Sequence, residues 1–295
     1  MSSTTSASIR QIGQTGFTTP LLVPSFSSRG FSPIGPRFER FSPHTAAASL
    51  VSAYDIHHEA LPLAAAYGSD IVFLDSGGYE GYSSSELSVP KPWSVEAYRD
   101  VLSRLENRTT IVPVSFDYEN RQPTEDQVVA ATHLANDFSQ FPWDCLFKPE
   151  SIELRFVNVE AILNLIPATP RFAVFGFTET ELGSSILERA RNILKIRTTL
   201  NDQGRDTPIH IFGCLDPRAI RFYFAAGADI FDGLQWLRSF MTEKDLFRMS
   251  SCVVREGLWD QDERAVEALG LDPKEVERFE RIVNTVYGGG IDVRR

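Results

Sequence analysis

The sequence predicts a (β/α)8 barrel followed by C-terminal helices, on three observations. Eight short apolar runs of β-rich composition recur along the first 240 residues. Stretches with apolar residues at helical spacing separate most of them. The runs themselves are nearly continuously apolar, as strands buried on both faces are. Regular alternation of this kind builds a parallel sheet, and eight units suit a closed barrel. An open doubly wound sheet uses the same units and stands as the alternative, because periodicity says nothing of closure.

The elements follow in order. Residues 1–18 read as a flexible N-terminus, and the first strand is "LLVPSF" (21–26). The Pro-, Ser- and Arg-rich insertion "SSRGFSPIGPRFERFSP" (27–43) reads as a surface loop that a barrel would place on its catalytic face, as a lid. "SLVSAYDI" (49–56) and "DIVFLDSG" (70–77) are the next strands, followed by the helical "SVEAYRDVLSRLEN". "TTIVPVSFD" (109–117) precedes "TEDQVVAATHLANDFSQF"; "CLFKPE" (145–150) precedes "VEAILNLI"; "RFAVFGF" (171–177) precedes "TELGSSILERARNILKI". "HIFGCL" (210–215), the helical "PRAIRFYFAAG" and "ADIFDGL" (228–234) complete the set. The barrel therefore spans 19–240, and 241–295, with "DERAVEALGLDPKEVERFERIVNTVYGG", reads as a helical extension packed on it.

Composition narrows the function classes. With 295 residues, 42% hydrophobic and 23% charged, the chain reads as globular. No window approaches the roughly 18 to 20 apolar residues of a membrane span, and "MSSTTSASIR" lacks a signal-peptide core, so a cytoplasmic address is expected. Cys145, Cys214 and Cys252 lie too far apart for a disulfide framework or a CxxC metal site. The expectation is reduced thiols, with Cys145 and Cys214 buried. A net charge of -10 argues against broad adhesion to a polyanion. A nucleic acid would have to be met by particular arginines, for which Arg29, Arg37, Arg40 and Arg238 are candidates by position.

The polar residues that interrupt the strand runs gather at one end of the barrel. Asp75 follows "IVFL", Asp117 follows "VPVSF", Gly176 interrupts "FAVFGF", Gly213 follows "HIF" and Asp232 follows "DIF". A lone Asp after a strand is usually a cap or turn residue. Three from different strands would instead converge on the mouth where barrel enzymes do their chemistry. Asp229 sits at the start of its strand and reads as structural. Gly77 and Gly78 form an ordinary turn or allow close backbone approach to a flat ligand, with Tyr79 stacking on it. Converging carboxylates without a metal cluster suit glycosyl transfer: one attacks an anomeric carbon, and another of raised pKa moves a proton on the leaving group. A third could accept hydrogen bonds from a purine edge.

"LDSGGYE" (74–80) resembles the DSGG(Y/F)Q signature of the tRNA-guanine transglycosylase superfamily, whose members exchange guanine in a nucleic acid for a 7-deazaguanine base. "TPLLVPSFSSRG" (19–30) resembles that family's opening strand, "VSFD" (114–117) its second aspartate motif, and "HIFGCLDPRAIRFYFAAGADIFDG" (210–233) its last two barrel units. The resemblance implies Asp232 as the nucleophile on C1′ of the ribose and Asp75 as general acid/base. It implies Tyr79 as the stacking aromatic and Asp117 as the reader of the base edge, with Ser76, Gly77 and Gly78 shaping the pocket. Gly176 is matched to a base-binding strand, Gly213 to the substrate-binding set and Arg238 to a contact with the substrate backbone. It implies no cofactor. The partners are tRNA or DNA and a guanine or 7-deazaguanine base, with a homodimer or partner subunit open.

The departures are specific. The family's C-x-C-x-x-C zinc cluster is absent, Glu80 replaces a Gln, and "FKPES" stands where the family has a base-reading "QG". A zinc-free relative could lie near the branch that modifies DNA. A nucleosidase-like enzyme on free nucleosides and a non-catalytic base-binding subunit remain as alternatives.

Overall fold

The computed structural model describes residues 7–29, 33–81, 91–106, 110–170, 172–234 and 236, with the backbone of two short strands beyond. Eight parallel strands form the barrel: β1 (Leu21–Phe26), β2 (Ala48–Ser52), β3 (Ile71–Asp75), β4 (Thr110–Pro113), β5 (Asp144–Phe147), β6 (Val174–Thr178), β7 (Ile209–Phe212) and β8 (Ile230–Gly233). Apart from β4 and β5, each pairs with its sequence neighbours, and β1 also pairs with β8 in a register that sets Val23 opposite Asp232. A single parallel bridge, Val114 to Asp144, joins β4 to β5 and nearly closes the ring. The fold is a nearly closed (β/α)8 barrel, not an open doubly wound sheet.

Helices cover the outside where the sequence turns amphipathic. They are α1 (Gly35–Phe41), α2 (Ala53–His57), α3 (Gly78–Gly81), α4 (Val95–Ser103), α5 (Thr124–Asp137), α6 (Val159–Leu165), α7 (Ile186–Asp202) and α8 (Pro217–Ala226). Short polar residues start four of them: Ser94, Asn158, Ser185 and Asp216 each accept a hydrogen bond from a first-turn N–H. Gly227, left-handed at φ +105°, ends α8 and turns the chain into β8.

Alternation along the strands divides the apolar residues into two layers. Val23, Leu50, Ile71, Phe73, Val112, Val174 and Ile230 fill the barrel, while the larger set packs between strands and helices. Ile12 joins the inner layer, because the segment before β1 doubles back through a Gln11–Thr18 bridge. Residues 8–18, read from sequence as a loose N-terminus, thus pack against the barrel. A cluster of ion pairs fixes that end. Asp229 accepts from Arg10 Nη1 at 2.6 Å, from Arg197 Nη2 at 2.6 Å and from the Ile209 N–H at 2.8 Å. Asp229 is structural, as its place at the start of β8 suggested.

Three details depart from the sequence reading. The 27–43 insertion is not simply a surface loop: Ile34, Phe38 and Phe41 are buried, with Phe38 edge-on to Phe26 at 5.0 Å and Phe41 edge-on to Trp236 at 5.5 Å. The Pro and Arg residues masked that helical spacing. The second strand stops at Ser52, and α2 takes up Tyr54 and Asp55. Ser239–Met241 and Leu246–Arg248 pair antiparallel as β9 and β10, a hairpin the sequence did not signal. The helices expected further on lie outside the described residues. Cys145 and Cys214 are free and buried. No helix among the described residues is long and apolar enough to cross a membrane.

Replacing Asp229 with Ala strips the shared partner from two guanidiniums that are almost wholly buried. A loss of about 3–5 kcal/mol is expected, the cost of breaking a buried pair from one side. Urea unfolding of the wild type and Asp229→Ala measures it; a loss under about 1 kcal/mol would be that of an exposed pair instead.

Candidate active site at the barrel mouth

The strand ends bring Asp75, Asp232 and the residues beyond β4 to one mouth. Asp232, only 5% exposed, is fixed from two sides. The Ser25 hydroxyl donates to its Oδ2 at 2.6 Å and the Gly213 N–H donates to its Oδ1 at 2.9 Å. Gly213 has φ +80°, a left-handed turn that aims this N–H and suits a residue without a side chain. Of the residues expected to bind substrate, Gly213 is therefore the one that orients the proposed nucleophile.

Asp75 ends β3, partly exposed, and its Oδ2 accepts the Gly77 N–H at 3.0 Å. Burial first, then the charge of Glu80, and further Asp117 and Asp232, push its pKa up to about 8. Glu80 in α3 lies behind it, nearly buried, accepting hydrogen bonds from the hydroxyls of Ser27 and of Ser52, the latter at 3.0 Å. Burial and then Asp55 raise Glu80 to about 7. Asp55 in α2 is held by the Ser28 hydroxyl and by the Ser28 N–H at 2.8 Å, yet burial still raises it to about 6. The sequence had flagged Glu80 as an extra negative group. Asp55 was hidden inside "SAYDI", taken there for a strand.

The third expected carboxylate, Asp117, is already engaged. Arg121 donates to Oδ1, and Lys148 Nζ stands 3.6 Å from Oδ2 while pairing with Glu181 at 2.9 Å. A small, shallow cleft opens beside it, lined by Phe116, Tyr118, Asn120, Arg121 and Lys148 among others. Ser76 accepts the Asp117 N–H on its hydroxyl at 3.1 Å. A Cβ on Gly78 would come within 2.7 Å of Asp117 Cβ, and one on Gly77 within 2.6 Å of Tyr54 Cβ. The two glycines thus let Asp117 and α2 close on the turn. Tyr79 is about half exposed, but the Arg29 guanidinium lies 3.8 Å from its ring centroid and donates to its carbonyl. Arg37 is buried, so it does not face a phosphate. Arg238 lies outside the described residues.

Gly176 sits inside β6, away from the rim. A Cβ there would meet Asp144 Oδ1 at 2.7 Å and the Phe212 ring at 2.6 Å. Its smallness makes room for a pair the sequence reading missed: Asp144 Oδ2 and His210 Nδ1 lie 2.8 Å apart, both fully buried, and His210 Nε2 is 3.4 Å from Asp232 Oδ1. Burial acts to lower the His210 pKa, but the hydrogen bond to Asp144 and then the nearby Asp232 carboxylate outweigh it and hold the imidazole at about 9. His210 had been read as a strand residue. An ionisable pair split between two otherwise apolar runs was the available signal. Among the described residues no group of three or more His, Cys, Asp or Glu is arranged to hold a metal ion.

No protein-family model matches the chain, and no curated protein matches it.

The raised carboxylates fix the sign of a pH effect. Asp55, Glu80 and Asp75 have folded pKa values above their ordinary 3.8 to 4.5, so their contribution to stability is full below about 4. It is lost as pH rises through about 6, 7 and 8. Stability is expected to fall across that window at up to about 1.4 kcal/mol per pH unit for each proton released. Glu80→Gln removes one of the charges and should flatten the fall, leaving the variant more stable than wild type at pH 9 in denaturant titrations. Parallel curves for the two proteins would contradict the assignment.

Proposed function

We propose that this chain is a transglycosylase that exchanges guanine for a 7-deazaguanine-type base in a polynucleotide, tRNA or DNA, through a covalent bond between Asp232 and C1′ of the target ribose. The observation that supports it is the contrast between two carboxyls at one mouth. Asp75 is held protonated near neutral pH by burial and its acidic neighbours, whereas Asp232 is oriented by Ser25 and Gly213. Environments that set two carboxyls apart assign an acid and a nucleophile.

In this reading the target nucleotide is flipped from its stack into the mouth. Asp232 forms a bond to C1′ as the C1′–N bond breaks, and Asp75 gives its proton to the departing guanine. The incoming base then returns a proton to Asp75 and attacks C1′, and Asp232 leaves as a carboxylate. Tyr79 supplies a stacking face, and Asp117 reads the base edge once Arg121 or Lys148 yields. Ser76, Gly77 and Gly78 hold the turn that carries Tyr79, and Arg238 is assigned to the substrate backbone. The chemistry calls on no cofactor, and the address that goes with it is the cytoplasm.

A second reading, hydrolysis or exchange on free nucleosides, is favoured by one feature. The mouth cations Arg121 and Lys148 are paired with carboxylates and do not await phosphates.

Radiolabelled guanine offered in parallel with bulk tRNA, double-stranded DNA and free guanosine tests both. Label is expected in one polymer only, with Asp232→Asn reducing it on the order of 10³-fold or more. Activity should fall as pH rises through about 8, where Asp75 loses its proton. Label exchanging into guanosine but neither polymer would replace the first reading with the second.

A further inference from the structure

We propose that Asp144 and His210 form a positioning dyad for Asp232: Asp144 orients the imidazole so that its Nε2–H points at Asp232 Oδ1 and makes Asp232 a better leaving carboxylate when the glycosyl ester is broken. The inference rests on the reading of Asp232 as nucleophile and assigns a role to two residues that lie beneath the mouth.

The geometry carries it. His210 Nδ1 is engaged by Asp144 Oδ2 at 2.8 Å, so the ring cannot turn without breaking a buried hydrogen bond. That leaves Nε2, which is buried, has no hydrogen-bond partner among the described residues and faces Asp232 Oδ1 at 3.4 Å. A bare lone pair on Nε2 would face a carboxylate oxygen across that gap and repel it. A hydrogen there attracts it instead, whether the second proton of the dyad rests on Nδ1 or on Asp144. The surroundings supply no competing acceptor: Phe212 stacks on the imidazole at 3.9 Å and Phe73 meets it edge-on at 5.1 Å. Gly176 in β6 is needed for Asp144 to fit, since a Cβ would intrude to 2.7 Å of Asp144 Oδ1. Three strands are thus shaped around one hydrogen-bonded pair that faces Asp232.

The effect falls mainly on the second half of the reaction. While Asp232 is esterified to C1′ it is neutral and gains little from the Nε2–H. As the incoming base attacks, the C1′–O bond breaks and its electron pair returns to Asp232, where the growing negative charge is met by that N–H. A donor that strengthens with the developing charge speeds release of the ester more than it tightens binding.

Two variants and one spectrum test the proposal. Asp144→Leu/His210→Phe keeps the shapes and makes the dyad apolar. It should slow turnover by about 10- to 100-fold and lower KM for the polynucleotide in parallel, because the ester then accumulates. The fraction of enzyme trapped as adduct on radiolabelled tRNA or double-stranded DNA should rise. Asp144→Asn, which still orients the ring, should restore most of the turnover. Nitrogen-15 spectra of wild type at pH 7 should show His210 Nε2 carrying a hydrogen. The proposal is overturned by a double variant with wild-type turnover and adduct level, or by a bare Nε2. The spectrum decides even if the double variant does not fold. A wild type that forms no adduct on either polymer would instead remove the reading of Asp232, and this inference with it.

Discussion

Carboxyl groups crowded into one end of a low-dielectric barrel cannot all be ionised, and the mouth of this molecule is organised around that constraint. Asp55, Glu80 and Asp75 form a graded series, raised to about 6, 7 and 8. Burial is the largest cause in all three, and Asp75, with the fewest donors, is raised furthest. Asp55 has both donors of Ser28, Glu80 has two serine hydroxyls, and the Asp75 carboxylate has the single N–H of Gly77. The group with the fewest donors and the most acidic neighbours keeps its proton longest. That a proton is kept next to Asp232 follows from the packing of α2 and α3 behind β3.

Asp229 and Asp232 show how compensation separates a locked structural carboxylate from the one proposed as nucleophile. They lie three residues apart at the two ends of β8. Asp229 is neutralised by Arg10 and Arg197 and capped by a backbone N–H, so nothing remains for it to do but hold the foot of the barrel. Asp232 accepts hydrogen bonds only from a hydroxyl and a backbone N–H, with the His210 ring, raised to about 9, standing off at 3.4 Å. Matching guanidinium charges lock a carboxylate, whereas small dipoles orient one and leave it able to form a bond.

How much of this was legible depended on whether the relevant interaction was local. The eight strands and their order could be read because a strand buried on both faces leaves its signature in consecutive residues. Asp75 and Asp232 stood out as polar residues ending apolar runs. Asp144 and His210 did not: Asp144 falls just before the run read as the fifth strand and His210 opens the seventh, and their meaning lies in a contact across 66 residues of chain. Asp55 was misplaced for the same kind of reason: a helical turn of five residues is too short to show a period. The N-terminal segment owes its order to Asp229, more than 200 residues away, which no local pattern encodes.

The cations of the mouth complete the electrostatic picture and bear on how a polymer would reach it. Arg29 lies on Tyr79, Arg121 on Asp117, and Lys148 between Asp117 and Glu181. Each of these three answers a group of the protein itself, which under the proposed function suits a base and ribose entering without their phosphates. A base and its ribose are neutral, and their phosphates can stay at the rim. At physiological salt, charges more than about 8 Å away are largely screened, so the acidic mouth need not repel a backbone held outside it. Entry still has a local cost. For a base to stack on the face of Tyr79 that Arg29 covers, the guanidinium must lift, and under the proposed function it would then be free to meet a phosphate. In the proposed reaction, Arg29 would therefore trade a ring for a phosphate, which couples base insertion to backbone capture at a single side chain.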